Sequence, residues 1–303
     1  MAINFNTLYP WNSIKEVVIG DKYMVRIPKF YYKVGECPEG SDYAGKTGYW
    51  VSGKKEDGYE LHPAFMRDGK EIPYFFIGAY ETGSELKCAP NSTITPQVSK
   101  SSAISLSTSL NKTNSANPDE RGWHLQNIYE QSAINMLIMI ECGTPDINTT
   151  IAYGVATNNY SSNSTSGTSK AVWRGIHEWW GNNWESVDGI KTGPNSIVSI
   201  FDKEGKGTYV QTQVNLAATP GYITTLSCVD GALIPATTGT NNFGCYKWND
   251  NSKNTNNIGF RGNNGDIKLS GLFSVAFDDS GSGYVWTGGD RALAFRLAKY
   301  PEF

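Results

Sequence analysis

The chain has 303 residues, 18% of them charged, with a net charge of −3 and a pI near 5.7. A domain of this length buries roughly 75% of the surface of its unfolded chain, so it can hold a core without staples. The charge balance leaves no basic stripe and hence no nucleic-acid footprint, and the longest apolar run, "MLIMI" at 136–140, is far too short to span a bilayer.

The first residues contain no basic segment followed by an apolar one, so no signal peptide is expected. Cys37, Cys88, Cys142, Cys228 and Cys245 form no CxxC pair, which favours free thiols and leaves room for one bridge. Aromatic residues are abundant at 13% while helical patterns are scarce. That combination predicts irregular structure pinned by large aromatic anchors.

Segment 16–34, "EVVIGDKYMVRIPKFYYKV", is rich in β-branched and aromatic residues and predicts one or two strands, with Pro28 marking an edge strand or a bulge. A further strand-like run, "KEIPYFFIGAYE", covers 70–81 after "LHPAF" at 61–65. From 91 to 117 Ser, Thr and Asn dominate and predict a long surface loop, in which "SLSTSL" starts a short helix. The clearest helix runs from about 125 to 141, because Ile128, Tyr129, Ala133, Met136, Leu137 and Ile140 share one face at helical spacing. Gly143 and Pro145 stop it. Segment 157–170 reads as another polar loop. Beyond 171, short strand-like runs alternate with Gly and Asn, and the asparagine-rich stretch 241–264 favours turns. No long-period repeat points to a solenoid or propeller. No break in composition marks a second domain, so one domain over 1–303 is expected, with N-terminal strands at about 16–81 and a C-terminal display region at about 241–303.

Residues 181–189, "GNNWESVDG", resemble the "GNVWEW" signature of the formylglycine-generating-enzyme (sulfatase-modifying factor) family, whose domain is a variant of the C-type lectin fold. Three more stretches fall in that family's order, one before it and two after. "GWHLQNIYEQSAINM" (122–136) resembles its "G-x-RLPTEAEWEYA" segment, with Gln126 and Asn127 where the family has Pro and Thr. "FRGNNG" (260–265) resembles "RGGSW", and "LAFRLAK" (293–299) resembles the closing "GFRLA" strand. Nearer the start, "IPKFYYK" (27–33), "HPAF" (62–65) and "GKEIPYFFIGAYE" (69–81) look like phage tail receptor-binding proteins that carry this domain, some of whose relatives are variable proteins of diversity-generating retroelements. The resemblance implies an α+β, C-type lectin-like fold with short antiparallel strands, two helices and extensive irregular loops. It also implies that the N-terminal strand pairs with the closing one.

In such a domain Trp179, Trp180 and Trp184 are expected in the core. His177 is not expected to bind metal or to catalyse, and Glu178 and Glu185 are expected to hydrogen-bond loop backbone. Formylglycine-generating enzymes work through cysteine thiolates in the C-terminal part of the domain. This chain has no cysteine after "FRGNNG", and no GxSxG, HExxH or P-loop replaces that chemistry. Asp278 and Asp279 are adjacent and on a strand point to opposite faces. No enzyme activity, cofactor or metal is therefore expected. "WND" at 248–250 matches a calcium-site motif of C-type lectins, but the companion "EPN" or "QPD" is absent and "GPN" at 193–195 lacks the carboxylate. A calcium-dependent carbohydrate-binding lectin stands as an alternative.

The leading expectation is a phage receptor-binding, host-attachment protein, assembled in the host cytoplasm into the virion tail. Its partner would be a cell-surface protein or glycan, and a homo-oligomer is open. A structural virion protein and a bacterial surface-displayed variable protein are further alternatives. The recognition face is expected in two stretches that mix aromatics with small polar residues. Around the first the candidates are Tyr246, Trp248, Asn249, Asn251, Asn263, Asn264 and Asp266. Around the second they are Ser274, Ala276, Asp278, Asp279, Ser280, Ser282, Tyr284 and Trp286. Nearly every residue of 274–287 is one that an AAC codon altered at its adenines can encode, Trp286 excepted, which permits retroelement diversification there.

Overall fold

A computed structural model describes residues 3–94, 98–154, 170–216, 220–240, 243–247, 257–262, 270–278 and 293–301. Within them the chain is mixed α+β, mostly strands, with two α-helices and several sheets. No helix among the described residues is long and apolar enough to cross a membrane.

The N-terminal region forms a five-stranded sheet in the order Lys15–Ile19, Lys22–Pro28, Tyr74–Gly78, Leu297–Lys299, Trp123–Leu125. Side chains alternate across it, as the pleat requires. Val25, Ile27, Phe75, Ile77 and Ala298 join the main hydrophobic core on one face. Met24, Trp123, Leu125 and Leu297 join a smaller cluster on the other. Segment 16–34 thus yields strands Lys15–Ile19 and Lys22–Pro28 and the start of a third, Tyr31–Glu36. Pro28 closes an interior strand, opposite Tyr74, rather than marking an edge or bulge.

The closing strand Leu297–Lys299 does not pair with Lys15–Ile19. It lies between Tyr74–Gly78 and Trp123–Leu125. All three of its residues are buried, whereas Lys15–Ile19 is largely exposed and forms the edge.

Helix α2, Ile128–Cys142, begins three residues later than the periodicity predicts because Leu125 belongs to a strand and Asn127 caps the helix. The Asn127 side chain accepts from the Tyr129 and Glu130 N–H groups, and Glu130 accepts from the Asn127 N–H at 2.9 Å, completing a capping box. Gly143, at φ 67, ends the helix. Helix α1, Lys100–Thr108, lies in the stretch read as a loop, capped by Ser99. The "SLSTSL" run falls at its end, not its start. Ser and Thr disguise this helix in the sequence; buried Ala103 ties it into the smaller cluster.

The larger sheet has nine strands. Along its path run Tyr209–Asn215, Ile197–Phe201, Trp184–Thr192, Asn257–Gly262, Val275–Asp278, Tyr246–Lys247, Gly221–Val229 and Ala232–Gly239, while Leu293–Phe295 pairs in parallel with Trp184–Thr192. The Trp184–Thr192 strand is irregular between Ser186 and Lys191. Gly189 sits there at φ 71, with the Phe201 ring 2.5 Å from where a Cβ would stand, so both backbone and space require glycine. All five cysteines are free. The loop expected at 157–170 lies outside the described residues apart from its last position.

Candidate functional site

The tryptophan segment is core, as expected: Trp179, Trp180 and Trp184 are each at most 1% exposed. The Trp179 indole N–H donates to Asn135 Oδ1 at 2.7 Å and that of Trp180 to the Ala152 carbonyl at 2.9 Å, meeting the requirement that buried polar atoms find partners. Beside them lies a buried ionic network that the sequence reading missed. Glu185 does not serve loop backbone. Its carboxylate accepts from Arg296 at 2.9 Å, from Gln126 Nε2 at 2.8 Å and from Arg261. The Arg261 guanidinium lies 3.6 Å from the Trp179 ring centre and also donates to the Trp179 carbonyl. Arg296 reaches onward to the carbonyls of Gly78 (2.9 Å) and His177 (3.0 Å).

Glu81 completes the group. It accepts from Nδ2 of both Asn182 and Asn183 at 2.7 Å, so "GNNW" is a pair of amides clamped on a buried carboxylate. Glu178 also accepts from Asn182, at 3.2 Å. Burial, then the Glu185 and Glu178 charges, push the Glu81 carboxyl well above its usual range. Burial pushes Glu185 the same way, but the Arg261 and Arg296 charges outweigh it and hold the carboxyl low. Burial lowers Arg261 to about 10 despite Glu185. The sequence signal available was a lone arginine inside each of two apolar strands, "FRG" and "AFRLA", since such a charge is buried only when paired.

His177 stacks on Tyr80 with ring centres 4.3 Å apart. Among the described residues no cluster of His, Cys, Asp and Glu could hold a metal ion. Burial pushes the thiols of Cys88, Cys142, Cys228 and Cys245 upward, Cys245 to about 12, the reverse of an activated nucleophile.

Of the expected recognition residues, Trp248, Asn249, Asn251, Asn263, Asn264, Asp266, Asp279, Ser280, Ser282, Tyr284 and Trp286 lie outside the described residues. Asp278 is described in its backbone, as the last residue of its strand. Tyr246 is half-buried, its ring edge-on to Tyr222 at 5.3 Å. Ser274 and Ala276 are corrected: at 1% and 2% exposure neither is displayed. Ser274 Oγ accepts from the N–H of Gly271 (2.9 Å) and of Tyr246 (3.2 Å), closing the turn before its strand. Ala276 stands in an interior strand between Asn257–Gly262 and Tyr246–Lys247, and its side chain is on a packed face of that sheet.

Strand register locates the ends from which the candidate segments depart. Tyr246–Lys247 runs parallel to Val275–Asp278, with Lys247 beside Val275. Asn257–Gly262 runs antiparallel, with Ile258 opposite Asp278. Tyr246–Lys247 and Val275–Asp278 therefore run in one direction, Lys247 lying level with the first residue of its neighbour, while Asn257–Gly262 runs the other way. Asn257–Gly262 ends at Gly262, opposite in direction to the ends at Lys247 and Asp278. Asn263, Asn264 and Asp266 are thus attached at a different place from the rest of the set. The chain matches no protein-family model and no curated protein.

Proposed function

We propose that the chain is a receptor-binding, host-attachment protein of a phage tail, built on a C-type lectin-like domain and without enzymatic activity. Segments 248–256 and 279–292 form its recognition surface. The observation that supports this most is the direction of the strands that precede those segments. Tyr246–Lys247 and Val275–Asp278 are parallel neighbours, so their C-terminal ends point the same way. Arg261 and Arg296 on Glu185 tie Asn257–Gly262 and the closing strands to Trp184–Thr192, and rigid support beneath a binding surface is what a display scaffold needs. The raised thiols argue for the non-catalytic reading. Diversification, where it operates, falls on 279–292 and spares Ser274 and Ala276, whose burial leaves no room for arbitrary side chains.

Binding to a panel of intact bacterial cells tests the reading. The labelled chain should bind a subset of strains. A chain with 279–292 replaced by a Gly/Ser segment of equal length should keep its melting temperature and bind none. Equal binding by the replaced chain would end the proposal. Sequencing the flanking genome tests diversification, which requires a nearby reverse transcriptase and a near-copy of the 3′ end differing at adenines.

A further inference from the structure

Three neighbouring cavities, each sharing lining residues with the next, form a furrow-like row on residues that belong to none of the recognition segments. The first, about 420 Å3, is lined by Arg67, Lys112, Arg121 and His124 together with amides and hydroxyls such as Asn111 and Asn114. Arg67 also lines a second cavity of about 130 Å3 beside Tyr300. Phe201, Asp202 and Lys206 are common to that one and a third of about 340 Å3. The first and the third each fall in the volume range of small-molecule sites.

Its wall is pre-formed. Asn111 accepts from the Trp123 N–H at 2.8 Å and donates to the Trp123 carbonyl at 2.9 Å, closing the loop across its base. The Lys112 N–H donates to the Glu120 carbonyl at 2.8 Å and its Nζ to Glu120 Oε1 at 2.6 Å. Ser115 holds the other Glu120 oxygen at 2.6 Å. Such a wall needs little ordering when a ligand arrives.

The charge of the first cavity is one-sided. Among the described residues no carboxylate lines it, in a chain of net charge −3. Glu120 and Asp68, which pair with Lys112 and Arg67, lie outside its lining. Each pairing uses only part of the donor set, since an ammonium has three N–H donors and a guanidinium five.

We propose that this furrow binds an anionic saccharide, a sugar carrying a carboxylate or phosphate. The charged group sits between Lys112, Arg121 and Arg67, and the sugar chain continues past Tyr300 toward Lys206. Amides and hydroxyls suit sugar hydroxyls, which both donate and accept. The site shares no residue with the recognition segments and does not depend on the reading above.

Isothermal titration of the full chain against four probes at millimolar concentration tests it: N-acetylneuraminic acid, glucose 1-phosphate, inorganic phosphate and maltose. At least one anionic sugar should bind, maltose at least about tenfold more weakly, and inorganic phosphate more weakly than the sugar phosphate. The relative strength of the first two identifies carboxylate or phosphate as the preferred group. Lys112→Glu should weaken binding by about tenfold or more; the Lys112–Glu120 pair it removes is largely exposed, at 67% on the lysine, and contributes little to stability, so the melting temperature should fall only slightly. Arg67→Gln should act in the same direction. Binding should persist in the chain with 279–292 replaced, which separates this site from the recognition surface. No binding by either anionic sugar, maltose binding as tightly, or full affinity in Lys112→Glu would each overturn the site. Phosphate binding as tightly as its sugar ester would overturn the saccharide assignment.

Discussion

Arg296 Nη2 lies 2.9 Å from Glu185 Oε1, and neither side chain is more than 2% exposed. The two residues are 111 positions apart. Their contact ties the last strands of the chain to the tryptophan segment. A buried pair of this kind does not add stability in proportion to its Coulomb energy, because desolvation opposes it. Its worth is seen when one member is removed.

Glu185→Gln should destabilise the chain by about 3–5 kcal/mol, since it leaves Arg296 and Arg261 buried without their shared anion. Urea unfolding measures it. A loss below about 1 kcal/mol would mean that water or Glu81 compensates the guanidiniums.

Trp184→Ala should cost about 3–5 kcal/mol. The indole is 1% exposed, in a strand paired on one side with Asn257–Gly262 and on the other with Leu293–Phe295. A soluble variant with the wild-type melting temperature would contradict a core role.

Acid should weaken the fold through His62. The ring is fully buried, with Nδ1 accepting from the Ala64 N–H and Nε2 donating to the Gly231 carbonyl, both at 3.2 Å. Burial lowers its pKa from 6.5 to about 3. Above the unfolded value the ring is neutral in both states and pH has no effect through it. As pH falls below that value the unfolded chain takes up a proton that the fold refuses. Stability then drops by up to about 1.4 kcal/mol per pH unit until the folded value is reached. Glu81, raised in the fold, acts in the opposite sense, losing stability as pH rises. The measurement is therefore the difference between the native chain and His62→Gln across pH 4–7, and a flat difference would show that His62 is solvated.

Ser274→Ala and Tyr284→Ala should separate fold from recognition. Removing the Ser274 hydroxyl strands the N–H groups of Gly271 and Tyr246 and should cost about 1–3 kcal/mol of stability. Receptor binding by the folded fraction should be unchanged. Tyr284→Ala and Trp286→Ala should instead cost about 2 kcal/mol or more in cell binding, as anchor aromatics do, with little change in melting. If both aromatic variants bind fully, the recognition surface is elsewhere.

Local pattern determined what could be read from the sequence. The apolar spacing of Ile128, Ala133, Met136 and Ile140 specified α2, and β-branched runs specified the N-terminal strands. The tryptophans and their apolar neighbours were legible as core because burial of large aromatic surface is close to obligatory. Tertiary structure alone decided the rest. The Ser- and Thr-rich α1 has weak intrinsic preference and is held by packing of Ala103. Ser274 and Ala276 look like display residues until the packing around the turn at Ser274 and the strand after it is seen. The placement of Leu297–Lys299 depends on which strands lie on either side of it. The partners of Arg261, Arg296 and Glu81 come from segments far apart in the chain. Strand neighbours and ion-pair partners are non-local, and no window of sequence contains both halves of such a contact.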